Sequence, residues 1–247
     1  MTKYKVLYEP TKRAGEYGEL AVNLTIGCSH GCEYCYAPRV MHKKPDVFFN
    51  HPVQRKDIFE KFYADVHKMV ENNDTREVFL CFTCDPLQPV CFENNLILNV
   101  IRTLELNKIK YRLLTKGGYK EFDRIAGYIS PDLCTIGSTL VFALDGESKK
   151  REPGAPATSE RIGMLKAAKF MGCKTWVSLE PTWDYYNVTE LIALTAGFVD
   201  EYKIGMLNYH PHSKDINWKQ FAEMISIYCD DMDVNYVLKD DLAKLLR

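Results

Sequence analysis

The sequence of 247 residues holds no uninterrupted apolar run near the roughly 18 residues a membrane span needs. Its first residues, Met1-Thr2-Lys3-Tyr4-Lys5, lack the apolar core of a secretory signal. Neither a bilayer-crossing nor an exported protein is expected. There is no internal repeat beyond an alternation of strand and helix patterns, no low-complexity tract and no evident linker. A basic excess is missing too. The 32 Lys plus Arg face 33 Asp plus Glu, for a net charge of -1, and the pI is about 6.6. A dedicated nucleic-acid-binding domain commonly has a pI above about 9. Only residues 39–44 and Lys149-Lys150-Arg151 are locally basic, and solvated loops are the plainer reading of both. The nine cysteines are odd in number and do not sit in a small secreted scaffold. They read as reduced thiols of a cytoplasmic protein, with a subset bound to metal.

What is present suits a single domain over 1–247. Hydrophobic residues make up 46% of the chain, enough for a core without disulfides. Residues 1–18 read as an approach segment. Strand-like runs follow at 19–26, 77–82, 110–115, 134–144, 174–179 and 201–207. Helical periodicity occupies 53–71, 92–107, 122–129, 159–171, 188–196 and 216–228. Residues 209–247 read as a helical extension, with a short edge strand at 235–238. Strands alternating with helices argue for βαβ units and a parallel sheet. Six units predict an α/β fold, a partial (β/α)6 TIM-type barrel with outer helices. In such barrels catalytic residues gather at the C-terminal strand ends. Cys28, Thr83-Cys84-Asp85, Lys116, Glu180 and Asn208 each follow a predicted strand.

Cys28, Cys32 and Cys35 stand at C-x3-C-x2-C spacing around Gly31. Thiolates are soft ligands, suited to iron–sulfur clusters, zinc or copper(I). Structural zinc normally takes four protein ligands in pairs. Here the loop supplies three, and no matching pair follows at finger-like spacing. Three cysteines on a cubane cluster leave one iron open for chemistry.

With an aromatic, Tyr34, before the third cysteine, this loop resembles the signature of radical SAM enzymes. Thr83-Cys84-Asp85-Pro86-Leu87-Gln88-Pro89 is similar to a segment of the branch containing spore photoproduct lyase and its DNA-repair-photolyase-like relatives. Thr115-Lys116 and Glu152-Pro153-Gly154-Ala155-Pro156 fit the same branch in the same order, and the likeness runs from about Asn23 to Asn208. It departs at Cys84 for threonine, Leu87 for tyrosine and Cys91 for glutamate. The resemblance implies a [4Fe–4S] cluster on Cys28, Cys32 and Cys35, and S-adenosylmethionine (SAM) as cofactor. It implies a lyase-like reaction begun by a 5′-deoxyadenosyl radical on an organic substrate, with a nucleic-acid lesion or a nucleotide as the family-level guess. For SAM it implies Thr83 and Asp85 toward the ammonium, Lys116 toward the carboxylate, Ser138 toward the ribose and Tyr34 against the adenine. A reductant such as flavodoxin or ferredoxin and a monomeric state complete the expectation.

Other residues leave alternatives open. Glu180 reads equally as a cofactor or substrate contact and as a salt-bridged rim residue. Cys84 is a candidate hydrogen-atom donor. Cys81, Cys84 and Cys91 could hold an auxiliary cluster, but strand alternation would aim Cys81 and Cys84 at opposite faces. Cys134, Cys173 and Cys229 read as core. Trp183, Tyr185 and Tyr186 could stack a substrate or pack together; His210 and His212 read as a loop pair rather than ligands. The competing reading of the whole chain is a non-enzymatic zinc- or Fe–S-binding nucleic-acid adaptor.

Overall fold

Strand Val78–Leu80 is buried at every residue. Continuous burial is the mark of a parallel strand covered on both faces, here by helices outside and side chains inside. The computed structural model describes residues 4–247 and contains nine strands. They are β1 (Leu20–Val22), β2 (Thr25–Ile26), β3 (Val53–Gln54), β4 (Val78–Leu80), β5 (Tyr111–Thr115), β6 (Cys134–Thr139), β7 (Lys174–Leu179), β8 (Glu201–Ile204) and β9 (Tyr236–Leu238). Seven pair in parallel in the order β1-β4-β5-β6-β7-β8-β9, while β2 and β3 form a separate antiparallel ribbon. Helices fill each crossover. Ile58–Glu71 shows how the sequence sets them: Ile58, Phe62, Val66 and Met69 recur on one face and are buried.

The sheet is strongly curled. Phe79 on β4 and Trp176 on β7 are three strand spacings apart, about 14 Å in a flat sheet. Their ring centroids lie 6.3 Å apart. Tyr17, from the approach segment, wedges between them at 5.8 and 5.7 Å. Arg112 on β5 likewise reaches Glu201 on β8 at 3.2 Å across the interior. The fold is therefore the expected α/β partial barrel, with aromatic rings filling its lower interior. β1 and β9 are the terminal strands of the order.

Several boundaries differ from the sequence reading. The strand expected at 19–26 is two, β1 and β2. Between them Asn23 Oδ1 accepts from Phe82 N and Thr83 N, both at 2.8 Å, and carries the chain from one sheet to the other. The helix expected from 53 begins at Ile58, because Val53 and Gln54 pair with β2. The next begins at Leu96, because Asn94 and Asn95 adopt left-handed φ of 51° and 55°, a conformation asparagine tolerates. The strand expected at 134–144 stops at Thr139. Asp145–Arg151, which carries no apolar periodicity, is helical. Within 209–247 the expected edge strand is present as β9, the seventh strand of the parallel sheet.

Candidate active site

The C-terminal strand ends enclose a cavity of about 340 Å³. Cys28, Cys32 and Cys35 line it, and so do Thr83, Cys84, Asp85, Lys116 and Glu180. The cysteine loop is fastened on several sides. Gly27 sits at φ +96°, and a Cβ there would stand 2.6 Å from Phe48 O, so only glycine fits this turn. Cys28 N donates to Phe48 O at 3.1 Å and Glu33 N to Arg151 O at 2.9 Å. Gln88, from the Thr83–Pro89 motif, accepts from Ser29 N at 3.0 Å and donates to Thr25 Oγ1 at 2.8 Å. Gly154 N donates to His30 O at 2.9 Å. A Cβ on Gly154 would lie 2.1 Å from Ser29 O. The Glu152–Pro156 motif thus acts as a strap over the loop.

Beneath the strap lies a wholly buried ion pair, Glu152 to Arg161 at 2.6 Å. Glu152 also accepts a short hydrogen bond from Tyr34 OH. Burial pushes the Glu152 carboxyl up, but Arg161, Lys116 and the hydrogen bonds outweigh it and hold the group below its ordinary value. Tyr34 presents its ring to the Lys116 ammonium, 5.5 Å from the centroid. Burial draws Lys116 down, yet Cys32 and Glu152 raise it overall, so it stays charged. Behind the loop Tyr34, Phe142 and Trp183 form a chain of rings at 6.2 and 5.3 Å. His212 stacks on Trp183 at 4.7 Å. Trp183, His210 and His212 therefore back the cysteine loop rather than offer a stacking platform or a metal pair. Tyr185 packs on Phe221 and Tyr228, and Tyr186 is exposed.

Asp85 is spent on scaffolding. Its Oδ1 accepts from Leu87 N at 2.8 Å and Thr115 Oγ1 at 2.7 Å, and its Oδ2 from Lys116 N at 2.6 Å. It fixes the β5 end that presents Lys116. Thr83 is the opposite case: Oγ1 is buried without a hydrogen-bond partner, and such an orphan costs free energy until something meets it. Ser138 does not line the cavity; its hydroxyl donates to Thr115 O at 3.1 Å. Thr139, one residue along and hence on the other face, does line it. The hydroxyl that β6 brings to the cavity is therefore that of Thr139 and not that of Ser138. Glu180 faces the cavity and is paired as well, accepting from Tyr17 OH at 2.6 Å and standing 3.3 Å from Lys239 Nζ.

Cys81 and Cys84 also differ from expectation. β4 ends at Leu80 and the chain bends through 82–84, so alternation does not apply and both thiols line the same cavity. Cys91 is fully buried and its Sγ donates to Asp85 O at 3.4 Å. Cys134, Cys173 and Cys229 are core. Among the described residues, no three His, Cys, Asp or Glu side chains are grouped so as to hold one metal ion. In an iron–sulfur cubane each cysteine meets its own iron, and three soft thiols beside an orphaned hydroxyl are a donor set that suits such a cluster.

Sequence reasoning missed Tyr17, Ser178 and Lys239, all cavity-lining. Lys239 carries the same signal as Lys116, a lysine directly after a strand. Tyr17, in the approach segment, carries none.

The fold matches solved structures. A point mutant of spore photoproduct lyase superposes with a TM-score of 0.72 at 11% identity, over 94% of this chain and 79% of the other. Spore photoproduct lyase complexed with dinucleoside spore photoproduct gives 0.71 at 12% identity, over 94% and 79%. Streptococcus suis SuiB bound to S-adenosylmethionine gives 0.64 at 14%, over 88% of this chain and 49% of SuiB. The fold is that of the radical SAM enzymes. In sequence, an uncharacterised protein of Methanocaldococcus jannaschii is 25% identical, covering 98% of this chain and 93% of its own length. No protein-family model matches. Within the radical SAM fold, the cysteine loop, Thr83, Lys116 and Thr139 sit where the chain leaves successive strands.

Proposed function

We propose that the protein is a radical SAM enzyme acting on an organic substrate. The observation that carries the reading is that Cys28, Cys32 and Cys35 share one cavity with Thr83 and Lys116. The three cysteines would hold a [4Fe–4S] cluster. When bound and reduced, such a cluster supplies the electron that splits SAM into methionine and a 5′-deoxyadenosyl radical. The chain's own part is to bind, orient and keep out water. Lys116, held cationic, offers its ammonium to the SAM carboxylate. Thr83 Oγ1 gives the SAM ammonium an acceptor that nothing else occupies. Asp85 and Tyr34 are positioning residues for Lys116, and Thr139 offers a hydroxyl to the ribose. Cys84 puts a thiol on the cavity wall as hydrogen-atom donor, and Glu180 stands ready for a hydrogen-bond donor on the substrate.

For the substrate we infer a nucleotide or nucleic-acid lesion, processed in a lyase-like reaction with electrons from a flavodoxin or ferredoxin. The support is the likeness to spore photoproduct lyase, solved with a dinucleoside spore photoproduct. The test is anaerobic: the purified protein should contain iron and, with dithionite and SAM, release 5′-deoxyadenosine. Release by Cys35→Ala equal to the parent's would overturn the reading. Turnover of DNA photodimers in the same assay decides the substrate class.

A further inference from the structure

Outside the cysteine loop, the cavity wall carries a second pair of thiols with a different setting. Cys81-Phe82-Thr83-Cys84 is a C-x2-C sequence directly after a strand of a βαβ unit, a pattern that in a reducing compartment is associated with dithiol chemistry. The bend through 82–84 brings both residues to the same stretch of cavity wall, three positions apart in the chain. Both line the cavity, and its rim residues Tyr36, Val40 and Tyr209 are exposed, so a small molecule in solvent can reach them. The third thiol of the group is out of play: Cys91 does not line the cavity and its Sγ is engaged by Asp85 O.

We propose that Cys81 and Cys84 form a redox-active pair, closed to a disulfide by a small disulfide that enters the cavity and reopened by thiol reductants. The environment divides the labour. Burial alone would push both thiols up. It does so for Cys81, whereas hydrogen bonds to Cys81, Thr25 and the backbone of Leu24 outweigh burial at Cys84 and draw it down to about 7. Cys84 is thus the attacking sulfur and Cys81 the resolving one, since the thiolate is the nucleophile and works best with a pKa near ambient pH. The Cys84 thiolate attacks one sulfur of the small disulfide, whose S–S bond breaks and releases one thiolate. Cys81 then gives up its proton and displaces the second half, forming the Cys81–Cys84 bond. Two cysteines are oxidised, the small disulfide is reduced to two thiols, and both cysteine protons end on those thiols. The pairing itself rests only on the two thiols and the cavity. Its consequence rests on the proposed function: once closed, Cys84 has no S–H bond and cannot give a hydrogen atom.

The test uses the full chain, purified anaerobically with its iron. It is exposed to 2-hydroxyethyl disulfide, denatured, alkylated and cut after Lys and Arg. Peptide 77–102 holds Cys81, Cys84 and Cys91 together. The expected product has Cys81 joined to Cys84, lacks two hydrogens, and carries alkyl label on Cys91 alone. Cys84→Ser should lose the linkage entirely, and Cys81→Ser should accumulate the mixed disulfide on Cys84. The wild-type map stands even if a variant fails to fold. A persistent mixed disulfide in the wild type, a link through Cys91, or no reaction while the denatured chain reacts would each overturn the proposal. Iron content and 5′-deoxyadenosine release on the same sample judge the enzyme reading separately.

Discussion

The two groups of thiols on this cavity wall sit under similar burial and are prepared for different chemistry. Burial pushes Cys28 well up, Cys32 up to about 12 and Cys35 upward, and neither the backbone hydrogen bonds at Cys28 and Cys35 nor Lys116 near Cys32 offset it. Left alone they are neutral thiols. A bound metal deprotonates its cysteine ligands outright, so a ligand loop needs shape rather than acid-strengthening hydrogen bonds. The loop has shape, from Gly27, Gln88 and the Gly154 strap. Cys84 has the reverse: no strap, but hydrogen bonds that let it ionise by itself. What a cavity thiol can do is set by what touches its sulfur, more than by which cavity it faces.

That contrast can be broken by exchange. Cys32→Ala should abolish stable iron binding, whereas Cys84→Ser should keep its iron; elemental analysis of anaerobic preparations reads both. Gly154→Ala comes next, because its methyl would need the space of Ser29 O; iron retention should fall while far-UV circular dichroism stays that of the parent. Arg161→Met leaves the Glu152 carboxylate buried and unpaired, at a cost of about 3–5 kcal/mol, seen as a lower denaturation midpoint. The same pair sets an acid limit. The folded pKa of Glu152 is depressed, so its contribution is fully present above the unfolded value of about 4.3 and fades as pH falls through the folded one. Lys116→Ala should weaken SAM binding about 10- to 100-fold, the worth of a hydrogen bond to a charged group, with iron unchanged; calorimetry checks it. The smallest effect is kinetic: alkylation of Cys84 should rise with pH through about 7, while Cys91 in the folded protein stays unlabelled.

Much of this was legible in the chain. The βα rhythm carried the barrel, because parallel strands and their helices impose separate periods on consecutive residues. The cysteine loop, Thr83 and Lys116 were legible because function at strand ends leaves polar residues just after apolar runs. Ser138 and Thr139 were not separable, since one residue of register flips the face and nothing local fixes it. The meeting of Cys81 with Cys84 was hidden, because alternation holds only while the strand does and β4 ends one residue before Cys81. Arg161 was invisible: on its own helix it reads as a polar position, and only the fold lays it under Glu152.

One contact sets an order of events in folding. Lys239 Nζ donates to Arg13 O, 226 positions away, and stands 3.3 Å from Glu180. The side of the cavity holding Tyr17, Glu180 and Lys239 therefore cannot be sewn shut until residue 239 has joined residue 13 in the fold. A chain without β9 would therefore leave this flank of the cysteine-lined cavity open.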